Sequence, residues 1–459
     1  MSTHIRSSLR RTVRPALCAI SLAAASAAAG SGAWAAQEPP PVTMGVVTFL
    51  SGPSAEPFGV PARNAAELMI RALNAGEVPA PYDARGFGGA PIVMKLVDEA
   101  GATERQVDEY RKLVEDDDVD MVVGYVSSAN CMAVAPLADE LKRLTVLFGC
   151  GTPRIFEGAS YRYLFRTGAT TTMDSTAAAL YVAETKPSLK KVSGINPDYA
   201  WDQGSWSAFE AAIKRLVPGV QIIRPQTYEL LVGEYAPEIS IARGAEVVHS
   251  SVWGSDAEAL IEQGISRELF RRSTLVMTAG GPTITRLGTR VPDGTIVGAR
   301  GPFAMFAPDT GLHRWFHDAY RKRYLVEPSY PAYKMAQAIL GVKSAWEKAQ
   351  AANGHTRPSQ EQTATAFEHL SFEGPGGRVD MSRGKGHQAV QDTAYGTVRR
   401  GQLVDVRRYP AALTTPPDGV GSEEWIRTRF AATSPRGGDP ESLATAIPNR
   451  GLATSFSAR

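Results

Sequence analysis

The feature that most constrains this chain is an alternation of apolar runs with amphipathic helical patterns. Over the first 150 residues, strands are predicted at 42–49, 92–99, 119–126 and 144–149, and helices at 62–76, 103–117 and 133–143. The strand-like runs are apolar throughout, with no alternation of polar and apolar residues, which is typical of strands buried on both faces of a parallel sheet. We therefore predict an α/β fold.

The same rhythm restarts after residue 174, so a second unit of similar build is expected. Its predicted strands lie at 190–200, 220–228, 245–254 and 274–281, with helices near 204–216, 256–264 and 283–288. Two helices without a strand between them follow at 311–324 and 330–349, and then come turn-separated strands over 372–381 and 390–409. A length of 459 residues leaves room for two or three domains.

Residues 1–35 have the layout of a secretory signal peptide. Four arginines and no acidic residue precede the apolar, alanine-rich run "ALCAISLAAASAAAG" (16–30), and "AWA" (33–35) offers small residues for cleavage. A membrane anchor is the alternative, but the apolar core is short for a stable span. Cys18 suggests a lipoprotein, yet the apolar run follows this cysteine instead of preceding it. We expect an exported, periplasmic protein.

Charge and cysteine content limit the function further. The whole chain carries 49 basic and 47 acidic side chains, and without the four arginines of the leader its formal charge becomes −2. A nucleic-acid partner is therefore not expected, because it would call for a basic domain. Beyond the leader, Cys131 and Cys150 remain. Export permits a disulfide between them, and two free buried thiols are the equally open alternative.

Motifs of enzymes and cofactor sites are missing from the sequence. There is no G-x-S-x-G elbow, no phosphate-binding G-x4-GK[ST] loop and no HExxH, and "GCGTPR" (149–154) lacks the third glycine of a dinucleotide fingerprint. His313 and His317 are spaced to share one face of a helix, but no third ligand accompanies them. We predict a protein that is not an enzyme, with no cofactor and no metal.

Hydrogen-bonding and aromatic residues gather just past the predicted strands. The segments 51–59, 127–130 and 150–153 each follow a strand, so they should meet at the carboxyl edge of the sheet, where α/β proteins bind ligands. Hydroxyl and backbone N–H groups there suit a carboxylate, since ionised acceptors make the stronger hydrogen bonds. The candidate contacts are Ser128, Ala129, Cys150 and Thr152, with Phe58, Trp201 and Trp253 as apolar walls.

Several motifs in order resemble the leucine/isoleucine/valine-binding family of periplasmic solute-binding proteins, type I of that superfold. They are "VTMGVVTFLSGPSAEPFG", "LNAG", "LVDEAG", "VVGYVSSAN", "FRTGATTTMD", "NPDYAWDQG" and "FEGPGGRV". The resemblance covers about residues 41–410. It implies two Rossmann-like lobes with parallel-rich sheets, joined by three hinge crossovers, with a ligand between them. It also implies delivery of that ligand to the membrane permease of an ABC transporter.

The resemblance assigns roles to positions of this sequence. Ser128 and the backbone of Ala129 correspond to the family's carboxylate contacts, and Cys150 and Thr152 to residues that hold the α-amino and carboxylate groups. Phe58, Trp201 and Trp253 align with family tyrosines. Amino-acid binders of this family carry an acidic residue where this chain has Gly280 and Gly281. The ligand therefore stays open between an amino acid, an aromatic or aliphatic acid, and an amide.

The expected organisation is a signal peptide at 1–35, two lobes and a C-terminal tail. Lobe 1 spans 41–168 plus 303–372, lobe 2 spans 169–302 plus 373–412, and 413–459 is interpreted as a mobile tail. Crossovers are expected near 168–172, 300–304 and 372–388. We expect a monomer that closes its lobes on a small carboxylate-bearing solute. A sensor of the same fold and an exported hydrolase are the alternatives.

Overall fold

The computed structural model describes residues 39–229 and 233–429, and its strands form two sheets. In chain order the strands are β1 (Val42–Thr48), β2 (Ile92–Asp98), β3 (Met121–Gly124), β4 (Thr145–Leu147), β5 (Leu164–Arg166), β6 (Lys191–Pro197), β7 (Gln221–Ile222), β8 (Gln226–Tyr228), β9 (Val247–Ser250), β10 (Thr274–Met277), β11 (Ile296–Ala299), β12 (Ser371–Gly374), β13 (Gly377–Arg383), β14 (Gln388–Val390), β15 (Thr393–Arg399) and β16 (Gln402–Tyr409).

Helices cover both sheets. They are α1 (Val60–Ala75), α2 (Thr103–Arg111), α3 (Ser128–Glu140), α4 (Arg154–Glu157), α5 (Thr171–Thr185), α6 (Ala200–Leu216), α7 (Ala236–Ala242), α8 (Ser255–Ser266), α9 (Gly281–Leu287), α10 (Gly311–Tyr324), α11 (Tyr330–Ala352), α12 (Gln360–Phe367), α13 (Ala411–Thr414) and α14 (Ser422–Arg429). Single π turns at Ala55–Gly59 and Lys112–Asp116 adjoin α1 and α2, and short 3-10 turns lie at Leu269–Arg271, Gly288–Arg290 and Ala304–Phe306.

The first sheet has the strand order β12-β13-β14-β5-β4-β3-β1-β2, and the second has β16-β15-β11-β10-β9-β6-β7, with β8 also paired to β6. Neighbouring strands from β1 to β5 run parallel, as do those from β6 to β11. Val46 and Val47 point to opposite faces of β1, and both are fully buried in separate apolar clusters. Burial on both faces explains why these strands are apolar throughout. The prediction of two α/β lobes with parallel-rich sheets is confirmed.

Three crossovers join the lobes. The first follows β5, the second follows β11, and the third is the two-residue step from β14 in the first sheet to β15 in the second. This third step differs from the expected 372–388. Strands β13 and β14 pair antiparallel with each other, and β14 pairs with β5, so they complete the first sheet. The expected assignment of 373–390 to lobe 2 is therefore corrected.

The C-terminal region also differs from the expected tail. Residues 413–429 end in α14, whose Trp425 and Ile426 are buried in the same apolar cluster as Phe209 of α6. The amphipathic pattern of this short helix is weak in sequence, because polar and turn-forming residues surround it. The rest of the expected tail, 430–459, and the expected signal peptide lie outside the described residues. Among the helices of 39–229 and 233–429, none is long and apolar enough to cross a membrane.

Candidate functional site

The stretch "VVGYVSSAN" places the end of β3 directly before α3. The helix begins at Ser128, five residues earlier than predicted, because Ser127 caps it by accepting the N–H of Asn130 at 3.3 Å. Ser128 is 2% exposed, and its Oγ accepts the N–H of Thr152 at 3.4 Å. The small polar residues thus start a helix at the carboxyl edge of the sheet, where its N-terminal N–H groups face the space between the lobes.

A buried carboxylate, Glu99, lies beneath this loop. It accepts the backbone N–H groups of Val126 at 2.8 Å and Ser127 at 2.7 Å, and the amide of Asn130 at 3.2 Å. Burial raises the pKa of Glu99 to about 7, although these three donors favour its ionised form. Two of the loop's backbone donors are therefore already occupied within lobe 1.

A disulfide fixes the same edge. Cys131, in the first turn of α3, is bonded to Cys150 in the segment after β4, which resolves the two alternatives left open by the sequence. Both residues are fully buried in an apolar cluster of lobe 1. The bond holds the segment carrying Thr152 against the start of α3, so the two rim segments of lobe 1 behave as one piece.

Aromatic rings from both lobes and from the second crossover region converge opposite this edge. Phe58, in the π turn before α1, contacts Trp253 edge-on at a ring-centroid distance of 5.6 Å and Tyr330 at 5.7 Å. Trp253 follows β9, and Trp201 lies in the first turn of α6. All four rings are nearly fully buried.

These groups enclose a cavity between the lobes with a free volume of only about 20 Å3, roughly the space of one or two water molecules. Of the predicted site residues, Phe58, Ser128, Trp201 and Trp253 line it. Ala129, Cys150 and Thr152 lie beside it without lining it. The backbone N–H of Ala129 is bonded elsewhere, the sulfur of Cys150 is in the disulfide, and Thr152 is fully buried behind Ser128.

Five lining residues escaped the sequence-based prediction: Val126, Tyr199, Ala279, Arg300 and Tyr330. Tyr199 lies within the quoted motif "NPDYAWDQG", two residues from Trp201, so the sequence could have indicated it as a site residue. Arg300 and Tyr330 carry no such signal. Arg300 lies at the second crossover and Tyr330 begins α11, and both reach the cavity because these segments pass beside it.

Tyr199 joins the two lobes across the cavity. Its hydroxyl bonds Ser127 Oγ at 2.7 Å and accepts the N–H of Ala129 at 2.8 Å. Burial raises the pKa of Tyr199 to about 12, so the phenol stays neutral. The hydroxyl thus occupies the N–H of Ala129, which the resemblance assigns to a ligand carboxylate, and a solute that binds this N–H has to displace the tyrosine.

Arg300 is the one charged side chain among the described residues that line the cavity. It is 6% exposed, and its Nη1 and Nη2 donate to the carbonyls of Gly149 at 2.6 Å and Ala169 at 3.2 Å. Its Nε lies 3.4 Å from Asp174, and its guanidinium sits over the rings of Trp201 and Tyr330. Burial raises the pKa of Asp174 to about 7, which weakens the negative charge opposing Arg300.

Two hydrogen-bond donors converge over Gly151. A methyl group added at this glycine would lie 2.3 Å from Arg300 Nη2 and 2.4 Å from Trp201 Nε1, so these nitrogen atoms are less than about 5 Å apart. Within the described part of the chain, Trp201 Nε1 is buried and has no hydrogen-bond partner. An arginine and an indole N–H this close together can donate to one carboxylate, whose two oxygens accept several hydrogen bonds.

No acidic side chain fits where amino-acid binders of the resembled family carry one. A Cβ at Gly281 would come within 2.6 Å of the ring of Phe303, and one at Gly280 within 2.8 Å of Met277. Asp198 is exposed, and Asp202 is buried with its carboxylate 2.5 Å from Ser251 Oγ. Burial raises the pKa of Asp202, so it is a poor counter-charge for an ammonium group.

A family model described as periplasmic binding protein matches residues 41–402 of the chain. No curated protein matches it. Among solved structures, a solute-binding protein of an ABC transporter from Rhodopseudomonas palustris BisB5, in complex with 3,4-dihydroxybenzoic acid, is similar with a TM-score of 0.68. Its sequence identity is 19%, over 81% of this chain and 97% of that one.

Two further structures show the same fold. A solute-binding protein from R. palustris in complex with benzoate has 19% identity and a TM-score of 0.68, covering 79% of this chain and 95% of that one. The branched-chain amino acid transporter substrate-binding protein LivJ from Streptococcus pneumoniae, in complex with isoleucine, has 18% identity and a TM-score of 0.68, covering 80% and 99%. At these identities the similarity establishes the fold.

Proposed function

Since the chain belongs to the periplasmic binding protein family, we propose that it is the extracytoplasmic solute-binding component of an ABC transporter and binds a small carboxylate-bearing solute. The solute is held between two lobes that close on it, because it stabilises the closed arrangement by its contacts with both. The observation that carries this proposal is the convergence on one cavity of Ser128 from lobe 1, Trp201 and Trp253 from lobe 2, and Arg300 from the crossover.

The solute we infer is a carboxylate without an ammonium group, with an apolar body. Arg300 supplies a positive charge, and the hydroxyl of Ser128, which accepts from Thr152, keeps its own proton to donate. Gly280 and Gly281 leave no room for an acid that would balance an ammonium group. Similar proteins hold benzoates or isoleucine. The aromatic walls suit an aromatic or branched aliphatic body, and the missing counter-charge for an ammonium group disfavours isoleucine itself.

The small free volume of the cavity between the lobes agrees with a mechanism in which the lobes open and close. A solute of this size enters only when the lobes separate, because Tyr199 and the four rings fill the space when they meet. On closure, water is excluded and the hydrogen bonds to Arg300 and Ser128 strengthen.

The test is isothermal titration calorimetry with matched pairs of solutes. The first pair is 4-methylpentanoate and leucine, which share a carboxylate and a branched chain but differ in the ammonium group. The second is benzoate and benzamide, which differ in charge. We expect each acid to bind at least about tenfold more tightly than its partner, since an uncompensated buried ammonium and a lost charge-assisted bond each cost more than about 1 kcal/mol.

Variants locate the site. Ser128→Ala should weaken benzoate binding several-fold through the lost hydroxyl, whereas Ser266→Ala, an exposed serine at the end of α8, should leave it unchanged. Leucine binding as tightly as 4-methylpentanoate would contradict the absence of an ammonium site. Binding of none of the four solutes would contradict the proposed ligand class, and turnover of benzamide to benzoate would indicate a hydrolase.

A further inference from the structure

A second and larger cavity lies outside the cleft. Its free volume is about 260 Å3, and it is bounded by the ends of β5 and β13, by α4, and by the segment 418–421 that leads into α14. Arg166, Arg383 and Lys385 line it together with Glu157 and Asp418. None of these residues lines the cavity between the lobes.

Arg166 is the most unusual residue of this cavity, because it is fully buried and has no carboxylate within 4 Å among the described residues. Its Nε donates to Gln388 Oε1 and its Nη1 to the carbonyl of Thr152 at 2.6 Å, and it lies over the ring of Phe156. Burial, followed by the nearby charge of Arg300, lowers the pKa of Arg166 to about 9. A buried cation without a counter-charge is costly, so an anion in this cavity would be stabilising.

Arg383 adds a second guanidinium at 7% exposure. Its Nη2 donates to the carbonyl of Val420 at 2.9 Å, while its Nε is buried and has no hydrogen-bond partner within the described ranges. The nearest carboxylate, Glu157, is 3.8 Å away. This donor is therefore available to a ligand in the cavity.

The two acids of the cavity are already committed to other donors. Glu157 Oε1 accepts the backbone N–H of Ser422 at 3.1 Å and its hydroxyl at 2.5 Å. Asp418 Oδ1 accepts the N–H of Gly384 at 2.7 Å. Three cations thus face two carboxylates, which leaves the cavity with an excess of one positive charge.

We propose that this cavity is a second ligand site, which binds a small oxyanion between the guanidinium groups of Arg166 and Arg383. Guanidinium groups are suited to this task because their planar set of N–H donors matches the oxygens of phosphate and carboxylate groups. A bound oxyanion would also join lobe 1 to the segment 418–421, whose neighbour Ser422 accepts the hydroxyl of Thr172 in lobe 2.

Inorganic phosphate is the probe for this proposal, titrated by calorimetry into the whole protein at an ionic strength held constant with sodium chloride. Wild type should show saturable binding. Arg383→Gln should bind phosphate at least about tenfold more weakly, since it removes a charged donor pair. Arg378→Gln is the matched control, because Arg378 lies on the same strand but is exposed and paired with Asp380, so it should bind as wild type does.

Arg383→Lys covers the case in which the glutamine variant fails to fold. It keeps the charge but loses the planar pair of donors, so its affinity for phosphate should fall several-fold while its thermal unfolding stays cooperative. Absence of saturable phosphate binding to wild type would overturn the proposal. Equal phosphate affinity in wild type, Arg378→Gln and whichever Arg383 variant folds would overturn it as well, because the binding would then lie elsewhere.

Discussion

The two rims of the cleft differ in the residues that form them. The rim of lobe 1 is polar, yet its donors are largely used within the protein: Glu99 takes two backbone N–H groups, Tyr199 takes the N–H of Ala129, and Ser128 takes that of Thr152. The rim of lobe 2 is aromatic, yet the indole N–H of Trp201 is buried and unpaired among the described residues. The crossover adds Arg300 beside it.

This contrast indicates that the two rims have different roles. The rim of lobe 1 is fixed by its own hydrogen bonds and by a disulfide, so it offers a rigid surface that changes little when the lobes move. The donors still available for an anion are the hydroxyl of Ser128 in lobe 1, the indole N–H of Trp201 in lobe 2 and the guanidinium of Arg300 at the crossover. We therefore expect substitutions in the lobe 1 rim, Ser128 excepted, to act mainly on stability, and substitutions at Trp201, Trp253 or Arg300 mainly on affinity.

The largest expected effect tests the rigidity of the lobe 1 rim. Replacing both Cys131 and Cys150 by alanine removes a link across a sequence separation of 19 residues. In the chain-entropy account, a loop of this size contributes about 3 kcal/mol to the free energy of unfolding. Urea unfolding of the double variant should show this loss, and wild type treated with dithiothreitol should unfold at the same urea concentration as the variant. Unchanged unfolding would mean that hydrogen bonds alone hold this rim.

The next effect tests the positive charge that Arg300 supplies at the crossover. The double variant Arg300→Gln/Asp174→Asn removes both partners of the buried ion pair, so neither charge is left unpaired. Benzoate affinity should fall about a hundredfold, because a buried charged donor to the carboxylate is lost. Arg286→Gln is the control, since Arg286 bridges the lobes to Glu56 at the exposed edge of the cleft. If calorimetry finds that both variants lose the same amount of benzoate affinity, Arg300 acts on lobe closure and does not bind the carboxylate.

How far the sequence predicted this site depends on where each residue lies in the chain. The strand ends were predictable, because apolar runs followed by small or aromatic residues identify the ligand edge of a parallel sheet. Phe58, Ser128, Trp201 and Trp253 were found in this way, and all four line the cavity. The same reasoning placed Thr152 at the edge, but a backbone hydrogen bond to Ser128 puts it one layer behind the surface.

Residues supplied by long-range packing were not predictable. Arg300 and Tyr330 follow no strand-end pattern, and they reach the cavity because the second crossover and α11 pass beside it. The third crossover was misplaced for a related reason: the strand pattern of 372–390 says nothing about which of the two sheets the strands join. Likewise α14 is short, and its burial depends on packing against α6.

A smaller effect distinguishes the aromatic contact made by Trp253 from the charge supplied by Arg300. Trp253→Ala removes a ring that packs edge-on against Phe58, so benzoate affinity should fall about tenfold through lost aromatic contact. Acetate has no ring to contact this wall, so its affinity should stay nearly the same. Trp253→Phe keeps a ring and should retain most of the benzoate affinity. Equal losses for benzoate and acetate in Trp253→Ala would show that Trp253 acts on closure and not as a wall.

The smallest effect is a pH dependence that belongs to the crossover side. Behind Arg300, Lys334 is buried and donates to Gln391 at 2.6 Å and Gln337 at 3.1 Å. Burial lowers the pKa of Lys334 to about 7 and raises the pKa of Asp174 to about 7. As the pH falls through 7, the lysine gains its positive charge and the aspartate loses its negative one.

Both changes make the surroundings of Arg300 more positive at low pH, whereas benzoate stays ionised because its carboxyl group titrates near pH 4. Binding of the anion should therefore be accompanied by proton uptake, and benzoate affinity should be on the order of threefold higher at pH 6 than at pH 8. Calorimetry in two buffers of different ionisation enthalpy measures the proton uptake directly. Lys334→Met keeps the volume of the side chain and should reduce both the uptake and the pH dependence. If the benzoate affinity is the same at pH 6 and pH 8, the protonation of these buried groups is not coupled to binding of the anion. Arg300 would then be the only support for the contrast between a fixed lobe 1 rim and a crossover that responds to the ligand.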